Sequence, residues 1–251
     1  MNYNFNEIIN RENTDAIKLE KRKLLFGTEE VLPLWVADMD FRTPDFILNA
    51  IKKRLEHPIL GYTTTPADFF KLFAAWTQKL HDWQIETEWT GFIPGIVPGL
   101  AFTVQCFTKP GEEVIVQPPV YHPFMNVVNN NGRNLVYNPL QEVDGKFEMD
   151  FDDLRSKITD KTKMLILCNP HNPGGKVWSL ETLRKLDAIC AKHKILVISD
   201  EIHADMVLPG DSRIKHIPFA KVSQTAAVNS VTFMSPSKTF NMPGLKTSFY
   251  V

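Results

Sequence analysis

Apolar residues recur along this chain with two periods that take turns. Helical spacing runs through residues 44–57, where Phe46, Ile47, Ala50, Ile51 and Leu55 share one side, and again through 66–83 and 96–107. Apolar runs of strand length stand at 113–117, 134–140, 163–168, 195–199, 228–234 and 246–251. Further helices are predicted at 122–130, at 150–158 and after Ser179, whose hydroxyl suits an N-cap. Leu180, Leu183, Leu186, Ile189 and Cys190 would form the buried side of that last helix. Gly61-Tyr62 and Pro110-Gly111 punctuate the series as loops. Strands alternating with helices imply right-handed crossovers, so the pattern predicts an α/β fold on a mostly parallel sheet. Residues 1–45 carry neither period and read as an irregular arm rich in Asn, Arg and Glu.

Composition narrows the picture. The 251 residues are 43% hydrophobic, enough for one large core or for one domain and part of another. Lys and Arg number 28 against 29 Asp and Glu, without a basic run, so neither nucleic acid nor an anionic membrane is expected as a partner. Cys106, Cys168 and Cys190 fall inside apolar patterns with no metal-ligand spacing and are expected as buried, reduced thiols. With a polar stretch at 1–25 and no run long enough to span a bilayer, they point to the cytoplasm.

The candidate chemistry lies at the carboxyl ends of three predicted strands. Asn169-Pro170-His171-Asn172-Pro173-Gly174-Gly175 follows the first, Asp200-Glu201-Ile202-His203 the second, and Ser235-Pro236-Ser237-Lys238-Thr239-Phe240-Asn241 the third. Open α/β sheets bind ligands in the crevice at such ends. A lysine beside a strand would by itself read as a solvated charge, Asp200 as a turn cap, Asn172 as a turn residue, and Glu201 as a solvated or salt-bridged neighbour. Gly95 opens a predicted helix whose first N–H groups, with Ile96 and Val97, suit an anion.

These motifs resemble the type I fold of pyridoxal-phosphate enzymes, in the aminotransferase class I/II branch. Asn10-Arg11 through Thr14, Leu34 through Phe41, Gly61-Tyr62-Thr63 and Pro119 through Phe124 make the chain most similar to the MalY/PatB-type carbon-sulfur lyases, the cystathionine beta-lyase-like group. The resemblance implies a PLP-dependent transferase-like large domain over 46–251, a mostly parallel mixed sheet in an α/β/α arrangement, and an arm at 1–45. In the family a long helix and a small domain with a carboxylate-binding arginine follow the last strand. This sequence stops at Val251, so an incomplete small domain and doubtful turnover by the chain alone are expected.

The resemblance also implies residue roles. Lys238 would bond the pyridoxal 5'-phosphate aldehyde and serve as the base for the substrate's α-proton; desolvation would keep its amine neutral near pH 7. Asp200 would pair with the ring nitrogen, Asn172 and His203 would contact the phenolic oxygen, and Tyr121 would stack on the ring. Gly95, Ile96, Val97, Ser235, Ser237 and Lys246 would hold the phosphate, joined by Tyr62 from the partner subunit of a homodimer. Trp35, Asp38 and Asp40 would stand near the substrate entrance with no catalytic role. The expected reaction is β-elimination from L-cystathionine or other cysteine S-conjugates, giving pyruvate, ammonia and a thiol. An aminotransferase shares every one of these cofactor residues, and a non-catalytic or regulatory cofactor-binding protein is the remaining alternative.

Overall fold

The computed structural model describes residues 3–208 and 214–251. They form two compact units, one of residues up to Thr63 together with Ser237–Leu245, the other of Thr64–Pro236 together with Lys246–Val251.

The larger unit is built on a seven-stranded sheet. Its strands are β1 (Gly91–Ile93), β2 (Glu113–Val116), β3 (Asn134–Tyr137), β6 (Thr162–Cys168), β7 (Leu196–Asp200), β8 (Ser230–Met234) and β9 (Ser248–Tyr250), in the spatial order β1-β9-β8-β7-β6-β2-β3. Neighbours from β8 through β3 run parallel, whereas β9 pairs antiparallel with both β8 and β1. A separate hairpin joins β4 (Gln141–Val143) and β5 (Lys146–Glu148). This is the mixed, mostly parallel sheet expected.

Alternation along the central strands sorts their side chains into two cores. Met164, Ile166 and Cys168 of β6, Val114 and Val116 of β2, and Ile198 of β7 pack in one cluster. It is completed by Ile96, Leu100 and Val104 of α5 (Ile96–Phe107) and by Phe124, Val127 and Val128 of α6 (Pro123–Asn130). Leu165, Leu167, Ile115 and Val197, one residue out of phase, pack on the other face with Leu154 of α7 (Phe151–Lys157), Leu183, Leu186 and Ile189 of α8 (Leu180–His193), and Ala226 of α9 (Gln224–Val228). Helices therefore cover both faces, which is why the parallel strands read as continuous apolar runs. A third cluster joins Phe73 of α4 (Phe69–His81) to Trp83, Met234 and Phe249, with the Phe73 and Phe249 rings stacked at 4.2 Å.

Several boundaries differ from the sequence pattern. Residue 228 ends α9 and strand β8 begins at Ser230, because Ser223 caps a short helix by accepting from the Ala226 N–H. The last strand starts at Ser248 instead of residue 246, since Lys246 takes a left-handed φ of 46°. Cys106 is exposed on α5, while Cys168 and Cys190 are buried as expected. Ser179 does cap α8, accepting from the Thr182 N–H at 3.1 Å.

The smaller unit contains α1 (Ile17–Glu20), α2 (Arg22–Phe26), α3 (Asp45–Leu55) and, from Ser237 on, α10 (Pro236–Thr239). Its arm is thus not wholly irregular. No helix among the described residues is long and apolar enough to cross a membrane.

Candidate functional site

In the sheet-bearing unit the polar clusters do meet at one end of the sheet. Strands β6, β7 and β8 run side by side, with Cys168 opposite Asp200 and Asp200 opposite Phe233, so Asn169–Gly175, Asp200–His203 and Ser235 all leave from adjacent strand ends. Asp200 shares its parity with Ile198 and faces the side covered by α5 and α6. It is 4% exposed, and its Oδ1 accepts from the Ile202 N–H at 3.1 Å. The turn-capping role is therefore real. A carboxylate accepts several bonds, so capping leaves room for a second role.

Burial, with the negative charge of Asp200 as a smaller cause, raises the phenol pKa of Tyr121. The same two causes push the Cys168 thiol up, so it stays protonated and inert. These shifts place Tyr121 and Cys168 within electrostatic reach of one buried carboxylate. Tyr121 precedes α6 and packs edge-on against Phe124 at 5.9 Å.

Gly95 is the N-cap of α5, at φ 120°, a conformation that side chains disfavour, and no side chain caps this helix. The N–H groups of Gly95, Ile96 and Val97 are consequently left at a helix start, the geometry that attracts anions. Gly99, one turn on, must be glycine because a Cβ would lie 2.6 Å from the Phe233 ring; this holds the first turns of α5 tight against the end of β8. Ser235, just past β8, is buried and donates to the Thr247 carbonyl at 2.7 Å.

The turn carrying Asn172 is fixed by its neighbours. His171 and Lys176 form a β-bridge, the Asn172 N–H donates to Cys168 Sγ at 3.2 Å, and Gly174 passes so close to Phe147 and His171 that a Cβ would clash. His203 sits half-buried in the turn after Asp200, its carbonyl accepting from Met206 at 2.9 Å. Lys246 is exposed ahead of β9.

Sequence reading missed two anchors here. Of the two expectations for Glu201, the paired one holds, with His216 as the partner, and the solvated one does not; what the sequence did not show is how deeply it is buried. Fully buried, it accepts from Ser199 Oγ (2.9 Å) and the Phe219 N–H (2.8 Å), and pairs with His216 Nε2 at 2.7 Å. Asp205 receives His81 Nε2 at 2.7 Å and Trp76 Nε1 at 2.9 Å, tying the turn to α4. Strand parity was the available signal, since Glu201 must point opposite to Asp200. Its partner, fifteen residues on, carried none.

The smaller unit holds Lys238, Ser237 and Tyr62. Lys238 lies on α10, half-buried, with Nζ 3.4 Å from the Ala37 carbonyl; Ser237 is buried one residue earlier. Tyr62 is fully exposed. Arg11 pairs with Asp38 and Asp40, and Lys18, although 7% exposed, pairs with Asp40 at 3.1 Å and donates to the Asp38 carbonyl at 2.9 Å. Burial raises the Asp40 carboxyl, but Arg11 and Lys18 outweigh it and hold the pKa below the usual carboxylate range. An open cavity of about 570 Å³ borders Arg11, Asp38, Asp40, Arg42 and Asn241.

The donor set of the larger unit suits a phosphorylated aromatic heterocycle. Uncapped N–H groups at a helix start take a phosphate, a buried carboxylate takes a protonated ring nitrogen, and an aromatic face stands beside it. The sequence model of aminotransferase class I and II matches residues 29–250. The chain belongs to the aminotransferase class I and II family. It is 48% identical over 246 residues to Cystathionine beta-lyase PatB of Bacillus subtilis (strain 168), covering 98% of this chain and 63% of that protein. Among solved structures it matches the PLP-bound C-S lyase from Staphylococcus hominis with a TM-score of 0.89 and 40% identity, over 100% of this chain and 63% of that one. It matches cystalysin from Treponema denticola, which contains a pyridoxal 5'-phosphate cofactor, with a TM-score of 0.94 and 36% identity, over 100% and 64%. The chain thus spans under two thirds of these family relatives.

Proposed function

We propose that this chain carries the cofactor-binding part of a pyridoxal 5'-phosphate-dependent carbon-sulfur β-lyase that acts on L-cystathionine or other cysteine S-conjugates. The observation that carries the cofactor reading is Asp200, a buried carboxylate at the end of a central parallel strand, flanked by the Asn172 turn and Ser235 on the adjacent strands. The choice of reaction rests on the 48% identity to Cystathionine beta-lyase PatB.

In this reading Lys238 would bond the aldehyde carbon and Asp200 would pair with the ring nitrogen. Asn172 and His203 would contact the phenolic oxygen and Tyr121 would cover the ring. The N–H groups of Gly95, Ile96 and Val97, with Ser235, Ser237 and Lys246, and Tyr62 of the partner subunit, would hold the phosphate. A homodimer follows from that last contact, and the complete exposure of Tyr62 is consistent with it. When bound, the group supplies an electron sink for the charge left as the α-proton departs. Lys238 Nζ, as a neutral amine, takes that proton from the substrate's α-carbon. Asp200 would face the ring nitrogen, where a carboxylate favours the protonated form of that nitrogen. Thiolate leaves the β-carbon, and water completes the release of pyruvate and ammonia.

Borohydride treatment of the chain with pyridoxal 5'-phosphate, followed by proteolysis and mass spectrometry, is expected to find the cofactor fixed to Lys238. Lys238→Ala should abolish that adduct, and an unchanged adduct would remove Lys238 from the reading. In a form extended to the length of the family relatives, L-cystathionine should yield pyruvate without an added keto acid. Dependence on a keto acid, with pyridoxamine phosphate accumulating, would assign an aminotransferase instead.

A further inference from the structure

Asn241 is a polar side chain of the lysine motif with no part in the chemistry above. It lies three residues past Lys238, where the chain leaves α10 with a left-handed φ of 51°, a conformation that asparagine tolerates better than most residues. Its amide is fully engaged. Oδ1 accepts from the Met39 N–H at 2.8 Å, while Nδ2 donates to the Met39 carbonyl at 2.8 Å and to the Phe41 carbonyl at 3.2 Å. Residues 37–39 belong to no strand or helix, so this one side chain supplies the donor and acceptor that a neighbouring strand would otherwise give Met39.

The segment so gripped also touches the lysine. Lys238 Nζ lies 3.4 Å from the carbonyl of Ala37, two residues before Met39. Asn241 and Lys238, three apart on a helical turn, therefore meet the same short stretch at two points. From its other side the stretch is held by Arg11 and Lys18 through Asp38 and Asp40. A flexible four-carbon amine gains a preferred position only if the acceptor it meets is itself fixed.

The geometry points to Asn241 as a positioning residue for Lys238: its amide locks residues 37–41, and the locked Ala37 carbonyl sets where the lysine amine rests. The role rests on the reading of Lys238 as the cofactor-bonding amine. It acts on the rate at which the amine meets an aldehyde, not on the affinity of the groups that hold phosphate and ring.

Two variants test it. Asn241→Ala removes all three bonds, and hydrogen exchange at the Met39 amide should accelerate about tenfold or more. Covalent fixing of pyridoxal 5'-phosphate to Lys238, followed by absorbance and borohydride quench, should slow by about tenfold or more. In a Lys238→Ala background, adding Asn241→Ala should change non-covalent affinity for the cofactor by less than about twofold. Asn241→Asp is nearly isosteric; it keeps the acceptor for Met39 but loses both donations, so Met39 should stay protected while fixing slows. This second variant carries the test if the first does not fold. Fixing at the parent rate in a folded variant overturns the proposal, as does a loss of non-covalent affinity equal to the loss of rate. If the parent chain forms no adduct at Lys238, the functional reading fails on its own; the positioning claim then stands or falls on Met39 exchange in Asn241→Ala.

Discussion

The two units are held together by different physics. Every fully buried apolar side chain among the described residues belongs to the sheet-bearing unit, where Leu165, Ile115, Met164 and Leu183 are wholly excluded from water. The unit that carries Lys238 has none. Ile8, Leu32 and Leu34 are almost entirely exposed there, and it is held by the Arg11, Lys18, Asp38 and Asp40 ion pairs, the Arg22–Glu12 and Arg42–Glu7 pairs and the Asn241 amide, with partly exposed edge-on ring contacts of Phe5–Phe41, Phe26–Trp35 and Phe46–Phe240 beside them. Apolar burial is non-directional and not subject to charge screening, whereas ion pairs are directional and screened. The first gives a rigid frame for the Asp200 end of the sheet. The second aligns a few polar groups in a region where no apolar side chain among the described residues is fully buried.

The contrast breaks first in the core. Leu165→Ala should cost about 2–5 kcal/mol of stability by urea unfolding, because a cavity opens between strands and helices that cannot collapse. A loss below about 1 kcal/mol would mean that the sheet unit does not depend on close packing.

A pH change sharpens it next. Burial is the main cause that drives the His171 pKa down to about 4. Between the ordinary histidine value and that one, the unfolded chain binds a proton that the folded chain does not. Stability from this group is therefore complete above about pH 6.5 and is lost as pH falls towards 4, by up to about 3 kcal/mol. His171→Gln should flatten the stability profile in that window, and parallel profiles for parent and variant would contradict the assignment.

Salt should produce the smallest effect, and in the other unit. Raising ionic strength from about 0.05 to about 0.5 M should weaken the partly exposed pairs by about 0.2–1 kcal/mol. Amide exchange in residues 37–41 would then quicken a few-fold while the β6 amides stay unchanged. Equal acceleration in both units would erase the distinction drawn between them.

Much of the sheet unit was legible because its strands and helices obey simple periods. The run 163–168 had to be a strand covered on both faces, and 96–107 a helix beginning at a glycine. The Asp144-Gly145 turn of the β4–β5 hairpin also carried its signal, with both residues at positive φ, although no strand was predicted on either side. The arm was less legible. Arg11 and Asp38 are twenty-seven residues apart, and nothing in spacing or composition couples them.

The sequence by itself determined the class of fold, the end of the sheet where the polar motifs gather, and the residue types placed there, because these follow from periodicity and from local turn chemistry. Tertiary structure decided which of two adjacent acids became a buried anchor and which faced the α5 side, what grips the stretch beside Lys238, and that Cys106 is exposed. Those outcomes depend on pairings between distant residues, which the free energy of the whole arrangement selects and no local pattern encodes.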